Sequence, residues 1–535
     1  MIPFNQALTR ARTKRFPFLF LFLPWVLLGS TVNAASMPSD LREVHLLNRL
    51  AFGPRPGDIE RVKSIGTEQY IKEQLTPKSI SLPDSLTAKL DSLSTLRLRA
   101  PELFTEYGPP SVAAQKGDKE AAQRARQRAR VIVEQATEAR LVGAVESPRQ
   151  LEEVMVNFWF NHFNVFAQKG LDYLWIGSFE EQAIRPHAMG RFRDLLGATA
   201  KHPAMLFYLD NWQNTAPGSP GARGQFKGLN ENYARELMEL HTLGVDGGYT
   251  QDDVITLARI LTGWGFRRPG QPLQALRELR GGNLFETNGF FFDSNRHDFS
   301  TKVFLGRALK ASGVGEGEEA LDILAQHPST AHHISYELAQ YFVSDDPPQS
   351  LVDRLSKQFL DSRGDIRSVL DVLFHSPEFW DEKYFATKFK TPYEYVISAA
   401  RASGYQITNT RPLLGIMGQL GMPLYGCLTP DGYKNTQAAW LNPNAMTLRI
   451  NYAIALAAGR LPLNQSPPIG ATGQMENRPQ MPIANPPVPV APIDAVILTK
   501  TLGSALSADT RAAVGDAKPP FRAALILGSP EFMRR

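Results

Sequence analysis

Asn230-Glu-Asn-Tyr-Ala-Arg-Glu-Leu-Met-Glu-Leu-His-Thr-Leu-Gly244 carries the pattern that decides the fold class. At 100° per residue its tyrosine, alanine, methionine and leucine side chains share one broad face, which predicts an amphipathic helix over residues 231–243. His241 falls on the same face, so its imidazole is predicted to be buried. Gly244 follows the last apolar residue and is well placed to end the helix in the left-handed conformation.

Apolar residues recur at helical spacing along most of the chain. The predicted helical stretches are 41–75, 119–144 and 148–163, further helices up to residue 265, and 318–400. Ser147-Pro-Arg-Gln150 resembles a capping box that opens the helix at 148–163. Phe290-Phe-Phe292 and Val303-Phe-Leu305 flank a polar turn, which predicts a small hairpin within 289–306. The predicted fold class is therefore mainly α: a large multi-helix body with a small β-hairpin insertion.

The N-terminus has the pattern of a cleavable signal peptide over residues 1–34. Basic residues precede a short apolar run, Phe16 to Leu28, that is too short to span a bilayer comfortably. Val32-Asn-Ala34 places small residues where a signal peptidase reads, so cleavage is predicted after Ala34. This predicts a periplasmic or secreted protein with no transmembrane anchor after cleavage. Ordinary Sec export fits better than the twin-arginine route, because a lysine replaces one of the paired arginines.

The C-terminal part contains a segment that reads as a linker. Nine prolines and almost no apolar periodicity occur between Leu461 and Pro492, a composition typical of an extended strap. The predicted organisation after the signal is a helical domain over 35–460, a proline-rich linker over 461–492 and a helical tail over 493–535.

Charge and cysteine content exclude some classes of protein. Removing residues 1–34 takes away four of the 58 basic residues and none of the 53 acidic ones, so the mature chain is nearly neutral. No net-charge argument for a nucleic-acid partner remains. Cys427 is the only cysteine in the chain, which excludes an internal disulfide and zinc sites built on paired cysteines.

Several longer motifs carry a resemblance to a known family. Besides the stretch 230–244 they are Arg49-Leu-Ala-Phe-Gly53, Phe158-Trp-Phe-Asn-His-Phe163, Gly248-Tyr-Thr-Gln-Asp-Asp-Val254, Ala258-Arg-Ile-Leu-Thr-Gly-Trp264 and His297-Asp298. With them the chain, from about residue 41 onward, closely resembles the bacterial family called domain of unknown function 1800. The resemblance implies an exported protein, and it brings no established activity, substrate or cofactor. Members often occur beside proteins of a second family, domain of unknown function 1501, which resembles the sulfatase and alkaline phosphatase fold, so a partnership is expected.

Candidate site residues lie within these motifs. His162 ends an apolar stripe of its helix and is predicted to point into the core, as His241 is. His297 and Asp298 lie in a loop, where the carboxylate could orient a neutral imidazole. Glu236 lies at the border of the apolar face. The predicted catalytic residues are Glu236, His297 and Asp298, and the predicted metal ligands are His162, His241 and His297.

The candidate histidines and Asp298 could also have purely structural roles. A buried histidine that bonds a backbone carbonyl is the commoner case, and Asp298 could simply cap the segment that follows it. His333 and Glu337, four residues apart, could share a ligand, but the family motif does not require them and they are left out of the predicted site. His327-Pro328 and Thr250-Gln-Asp-Asp253 read as helix starts.

Two functions from different classes remain. The first is an enzyme in which the histidines and carboxylates converge on a divalent metal (zinc, iron or manganese) or on acid–base chemistry, with hydrolysis by an activated water as the reaction. The second is a non-catalytic helical partner or chaperone of a neighbouring exported enzyme, with 461–492 as its docking strap.

Overall fold

The computed structural model describes residues 40–109, 119–267, 289–464 and 490–535, and most of these residues are helical. The helices of eight or more residues are Leu41–Leu50, Asp58–Ile65, Thr67–Leu75, Asp84–Ser92, Ala100–Tyr107, Lys119–Glu146, Gln150–His162, Phe192–Ala200, Asn232–Glu239, Gln251–Ile260, Val314–Ala325, Pro328–Phe342, Gln349–Asp361, Ile366–Phe374, Pro392–Ser403, Arg411–Gln419, Pro443–Ala457, Ala495–Leu502, Ala508–Asp516 and Pro519–Leu527. The mainly α fold class is confirmed.

One continuous apolar core joins these helices. The indole rings of Trp159, Trp175 and Trp264 are fully buried in it. The helix Pro519–Leu527 packs on the helix Pro443–Ala457, so the residues that follow the proline-rich segment contact the body. The proline-rich segment falls largely outside the described residues, and so does the predicted signal peptide. The predicted bounds of these two segments therefore stay predictions.

Two helix starts follow the local chemistry of the sequence, and Gly244 takes its predicted conformation although the helix before it already ends at Glu239. Thr250 Oγ1 accepts from the Asp253 N–H at 3.2 Å while the Asp253 carboxylate accepts from the Thr250 N–H at 2.9 Å, which confirms the capping box. His327 Nδ1 accepts from the Ser329 N–H at 3.1 Å, and the helix begins at Pro328. Gly244 has a φ of +84°, the left-handed conformation predicted for it.

The predicted capping box at Ser147 is wrong. The helix begins at Gln150, and Ser147 Oγ accepts from the Arg149 N–H at 3.1 Å. The Gln150 side chain instead donates to the carbonyls of Ala144 and Ser147, at the end of the preceding helix. A long side chain that turns back to satisfy orphan carbonyls therefore replaces the box.

The helix predicted over 231–243 is shorter in the structure and spans Asn232–Glu239. Beyond it the N–H groups of His241 and Leu243 donate five residues back, to the carbonyls of Glu236 and Met238, at 3.1 and 2.8 Å. His241 thus lies on a widened final turn, and it is buried as predicted. This turn lets the main-chain carbonyl of His241 accept a side-chain donor.

Two short antiparallel ladders replace the single predicted hairpin pairing. Phe290–Phe292 pairs with Trp264–Phe266, and Val303–Phe304 pairs with Arg307–Ala308. The second ladder turns through Leu305 and Gly306, both with positive φ, which is the geometry of a type I′ turn. This two-residue turn pairs Val303–Phe304 with Arg307–Ala308, the strand directly after it. Phe290–Phe292 therefore pairs with Trp264–Phe266, which lies earlier in the chain.

No helix among the described residues is both long and apolar enough to cross a membrane.

His202 provides a testable link between a helix cap and pH. Its Nδ1 accepts from the Ala204 N–H at 3.2 Å, and burial lowers the pKa of His202 to about 3. The unfolded chain binds a proton near pH 6.5 and the folded chain does not until about pH 3, so stability is lost as the pH falls through this window, by up to about 1.4 kcal/mol per unit. His202→Asn keeps a capping side chain, and urea unfolding at pH 7 and pH 5 should show a shallower pH dependence for it. Equal pH dependence in the variant and the wild type would contradict this account.

Candidate functional site

A cleft of about 250 Å³ opens between the helices Gln150–His162 and Pro328–Phe342 and the start of the helix Pro392–Ser403. Its acidic, basic and imidazole side chains are His162, His333, Glu239, Glu337, Glu394, Asp431 and Lys434. Carboxylates outnumber cations in this lining. The cleft therefore suits neutral or cationic groups better than anionic ones.

His162 lies in the wall of the cleft with both ring nitrogens engaged. Its Nδ1 lies 2.7 Å from Glu337 Oε2, and its Nε2 lies 3.2 Å from the His241 carbonyl oxygen. Only 3 % of the side chain is exposed. A carbonyl can only accept, so Nε2 carries a proton, and the remaining proton is shared between Nδ1 and the carboxyl group.

Glu337 is the accessible member of this pair, with 31 % of its side chain exposed. Burial alone would raise the pKa of Glu337, but the imidazoles of His162 and His333, with the hydrogen bond from His162, lower it overall. Glu337 is therefore a carboxylate at neutral pH. In this geometry Nδ1 of His162 faces the carboxylate and Nε2 faces the His241 carbonyl, so both ring nitrogens lie against acceptors.

His333 extends the pair on the other side of the carboxylate. Its Nε2 lies 3.7 Å from Glu337 Oε1 and 3.2 Å from the Leu240 carbonyl oxygen. The side chain is 24 % exposed and lines the cleft. One carboxylate is thus held between a buried imidazole and a more accessible one.

His241 joins this cluster as a neutral neighbour. Its ring centroid lies 6.0 Å from that of His162 and 5.1 Å from that of Phe163. Burial lowers the pKa of His241 well below its usual range, and His162 and His333 lower it further. We assign His241 the role of presenting its main-chain carbonyl to His162.

The structure places His297 in a different cluster, beneath the short ladders. Its Nδ1 lies 2.9 Å from the Thr262 carbonyl oxygen, and its Nε2 lies 3.5 Å from Glu316 Oε2. Lys302, which could have been a solvated residue, is buried here with its Nζ 2.6 Å from the same oxygen. His297 does not line the cleft, because the insertion folds onto the helix Val314–Ala325 instead.

The two predicted catalytic carboxylates also lie outside the cleft lining. Asp298 accepts from Arg259 Nε at 2.8 Å; burial alone would raise its pKa, but hydrogen bonds from Ser300 and Arg259 lower the pKa of Asp298 to about 2. Asp298 is thus an ion-pair partner of Arg259 and lies away from the cleft. Glu236 is half-buried, and burial followed by the charge of Glu239 raises its pKa.

The described residues do not form the predicted metal site. No group of three or more histidine, cysteine, aspartate or glutamate side chains within them has a spacing that could hold a metal ion. Of the three predicted ligands, His162 and His241 come together and His297 does not. His162 also has no nitrogen left for a metal without loss of a hydrogen bond.

Glu337 and His333 line the cleft, although neither belongs to the predicted site. Their signal was present, since residues four apart on the helix Pro328–Phe342 lie on one face. What the sequence does not contain is the contact with His162, which lies 175 residues earlier in the chain.

A buried polar network supports the floor of the cleft. Arg140 donates to Glu180 Oε2 at 2.7 Å and to Asn157 Oδ1 at 2.8 Å, and Asn157 lines the cleft. Tyr425 also donates to Glu180, at 3.0 Å. Burial alone would lower the pKa of Arg140, but Glu180 holds it above its usual range, so the guanidinium stays charged. Glu180 lies on the π-helical turn Phe179–Ile184, a distortion that is frequent at functional sites.

Fold and cleft together define a mainly α-helical protein whose cleft wall holds a pair formed by a buried imidazole and an accessible carboxylate. The chain belongs to the family described as protein of unknown function (DUF1800), whose model matches residues 45–534. No curated protein matches the chain, and no solved structure matches it.

Proposed function

We propose that the protein is an exported enzyme of the bacterial envelope that performs acid–base catalysis in the cleft, with hydrolysis by an activated water as its reaction. The observation that carries the proposal is the 2.7 Å contact between His162 Nδ1 and Glu337 Oε2 in the cleft wall. A carboxylate whose Oε2 is held by a buried imidazole keeps its Oε1 free to take up a proton from a bound water or hydroxyl.

The geometry assigns a role to each group. Glu337 Oε2 is held by His162, while Oε1 lies farther from its imidazole partner and is the oxygen that takes a proton from a water or a substrate hydroxyl. His162 stabilises the carboxylate and fixes its orientation. His333, the more exposed imidazole, is the candidate acid for the leaving group. No metal is needed for these steps.

The cleft also limits the substrate. Its volume suits a small group rather than a long chain buried along its length. Glu239 and Asp431 add negative charge beside Glu337, so a phosphorylated substrate is disfavoured and a neutral or cationic one is favoured. A panel of chromogenic esters, amides and glycosides tests this proposal, with turnover expected for the wild-type protein. No turnover across neutral and cationic members would argue against it.

One observation favours the second candidate function, a non-catalytic partner of a co-exported protein of the domain of unknown function 1501 family. Exposed apolar side chains occur on the helix Pro519–Leu527 and on two helices that contact it: Ile450, Val496, Ile497, Phe521 and Leu525. Complementation of a deletion strain separates the two functions. An enzyme should fail with Glu337→Gln and tolerate Phe521→Glu, whereas a docking partner should show the reverse.

Export itself can be tested on the N-terminus. The basic residues, the apolar run and Val32-Asn-Ala34 predict a mature chain that begins at Ala35. Mass spectrometry of the envelope fraction should find that terminus, and an Ala34→Arg substitution should block its formation. Recovery of the protein from the cytoplasm with Met1 intact would contradict export.

A further inference from the structure

A second, small cavity with a largely buried lining adjoins the cleft. It has a volume of about 10 Å³, and its charged lining is Arg49, Lys390, Glu394 and Arg535. Tyr341 and Glu394 line both spaces and separate them. A volume of this size holds about one water-sized sphere, which excludes phosphate and other polyatomic anions.

The charges around this cavity do not balance. Three basic side chains line the cavity with one carboxylate, and all four are buried; Asp345 is a second carboxylate whose charge reaches Arg49. Glu394 lies 2.9 Å from Arg535 Nη2, so its charge already has a partner. Uncompensated buried charge is strongly unfavourable, which points to a counter-charge in the space between the cations.

Donors without partners are present at the same place. Arg49 is fully buried, and of its guanidinium only Nη2 has an acceptor, the Tyr384 carbonyl at 2.7 Å. Arg49 Nε and Nη1 and Arg535 Nε have no hydrogen-bond partner among the described residues. Buried guanidinium donors rarely stay unpaired, so these donors indicate a site for an acceptor.

Lys390 differs from the arginines in this respect. Its Nζ donates to Ser398 Oγ at 2.8 Å and to the Phe532 carbonyl at 2.9 Å, and an ammonium has three donors. Burial, together with the positive charges of Arg535 and Arg449, lowers the pKa of Lys390 to about 7. An added negative charge would favour its protonated form.

We propose that this cavity binds a single halide-sized monovalent anion, with chloride as the probe, between the guanidinium groups of Arg49 and Arg535. The ion would accept from Arg49 and Arg535 and offset the excess positive charge. Because the charged side chains that line the cavity are buried, the ion would act on stability, and the proposal does not depend on catalysis in the cleft.

Thermal unfolding of the purified protein in sodium chloride and in sodium gluconate, at one total ionic strength, tests the proposal. Gluconate is too large for the cavity, so chloride should raise the midpoint by about 1–3 °C with a saturating dependence. Exclusion of a solute from the protein surface stabilises proteins generally and requires no binding site. A rise in the midpoint that occurs in chloride and not in gluconate therefore cannot come from solute exclusion. Arg49→Met should lose the chloride dependence, and Arg42→Met, on the exposed face of the same helix, should keep it.

Bromide provides a readout that does not rely on a variant that folds. A crystal of the wild-type protein soaked in sodium bromide should show an anomalous peak between Arg49 and Arg535. Equal midpoints in chloride and gluconate, together with no bromide peak in the cavity, would overturn the proposal and leave a water as the occupant.

Discussion

Replacing Glu337 by glutamine should lower the rate of the reaction in the cleft by about 10²–10⁴-fold, the range expected when a general base is removed. The amide keeps the shape of the side chain but cannot take a proton. It also withdraws the charge that faces His162, at 2.7 Å, and His333, at 3.7 Å. Steady-state kinetics on a substrate found with the chromogenic panel is the measurement.

The matched control lies on the same helix. His332 is exposed and next to His333, so His332→Gln should leave the rate unchanged while His333→Gln lowers it. The pKa of Glu337 is held below the usual range for a glutamate, so its base form should persist as the pH falls through that usual range. Activity that depends on this base form should be lost only at a still lower pH. A Glu337→Gln variant with the wild-type rate would remove Glu337 from the mechanism.

Breaking the buried Arg140–Glu180 pair should have the largest effect on stability. Arg140→Met leaves Glu180 buried without its cation, and such a change costs about 3–5 kcal/mol of unfolding free energy. The exposed pair Lys357–Asp361 is the control, and Lys357→Met should cost less than about 1 kcal/mol. Urea unfolding of both variants gives the comparison.

A double variant tests the cause of that loss. If the cost comes from the unpaired carboxylate, Arg140→Met combined with Glu180→Leu should recover part of it, because apolar replacement of a buried pair is often neutral. A single variant within 1 kcal/mol of the wild type would show that the network contributes little to the floor of the cleft.

The sequence predicted those features that depend on neighbouring residues. Thr250 and His327 cap helices, and Gly244 takes a left-handed conformation, because each feature is settled within a few residues of chain. The burial of His162 and His241 followed from helical periodicity for the same reason. These local rules were sufficient for the fold class.

The composition of the site depended on contacts that periodicity cannot show. His297 shares a motif set with His162, but the insertion folds beside Glu316 and carries it away from the cleft. Glu337 reaches His162 across 175 residues of chain, where no local pattern links them. The predicted pairing of Phe290–Phe292 with the strand at Val303–Phe304 was wrong for a similar reason. A type I′ turn pairs Val303–Phe304 with the residues that directly follow it.

The protonation of His162 is the most direct test of the proposed site. The chain has ten histidines, so ¹⁵N labelling of the imidazoles, with single-site variants for assignment, can identify its ring nitrogens by NMR. The account predicts protons on both nitrogens of His162 at neutral pH in the wild type, and loss of the Nδ1 proton in Glu337→Gln, whose amide can donate to that nitrogen. A His162 whose Nδ1 carries no proton in the wild-type protein, and whose signals do not change in Glu337→Gln, would contradict the imidazole–carboxylate pair and with it the acid–base function.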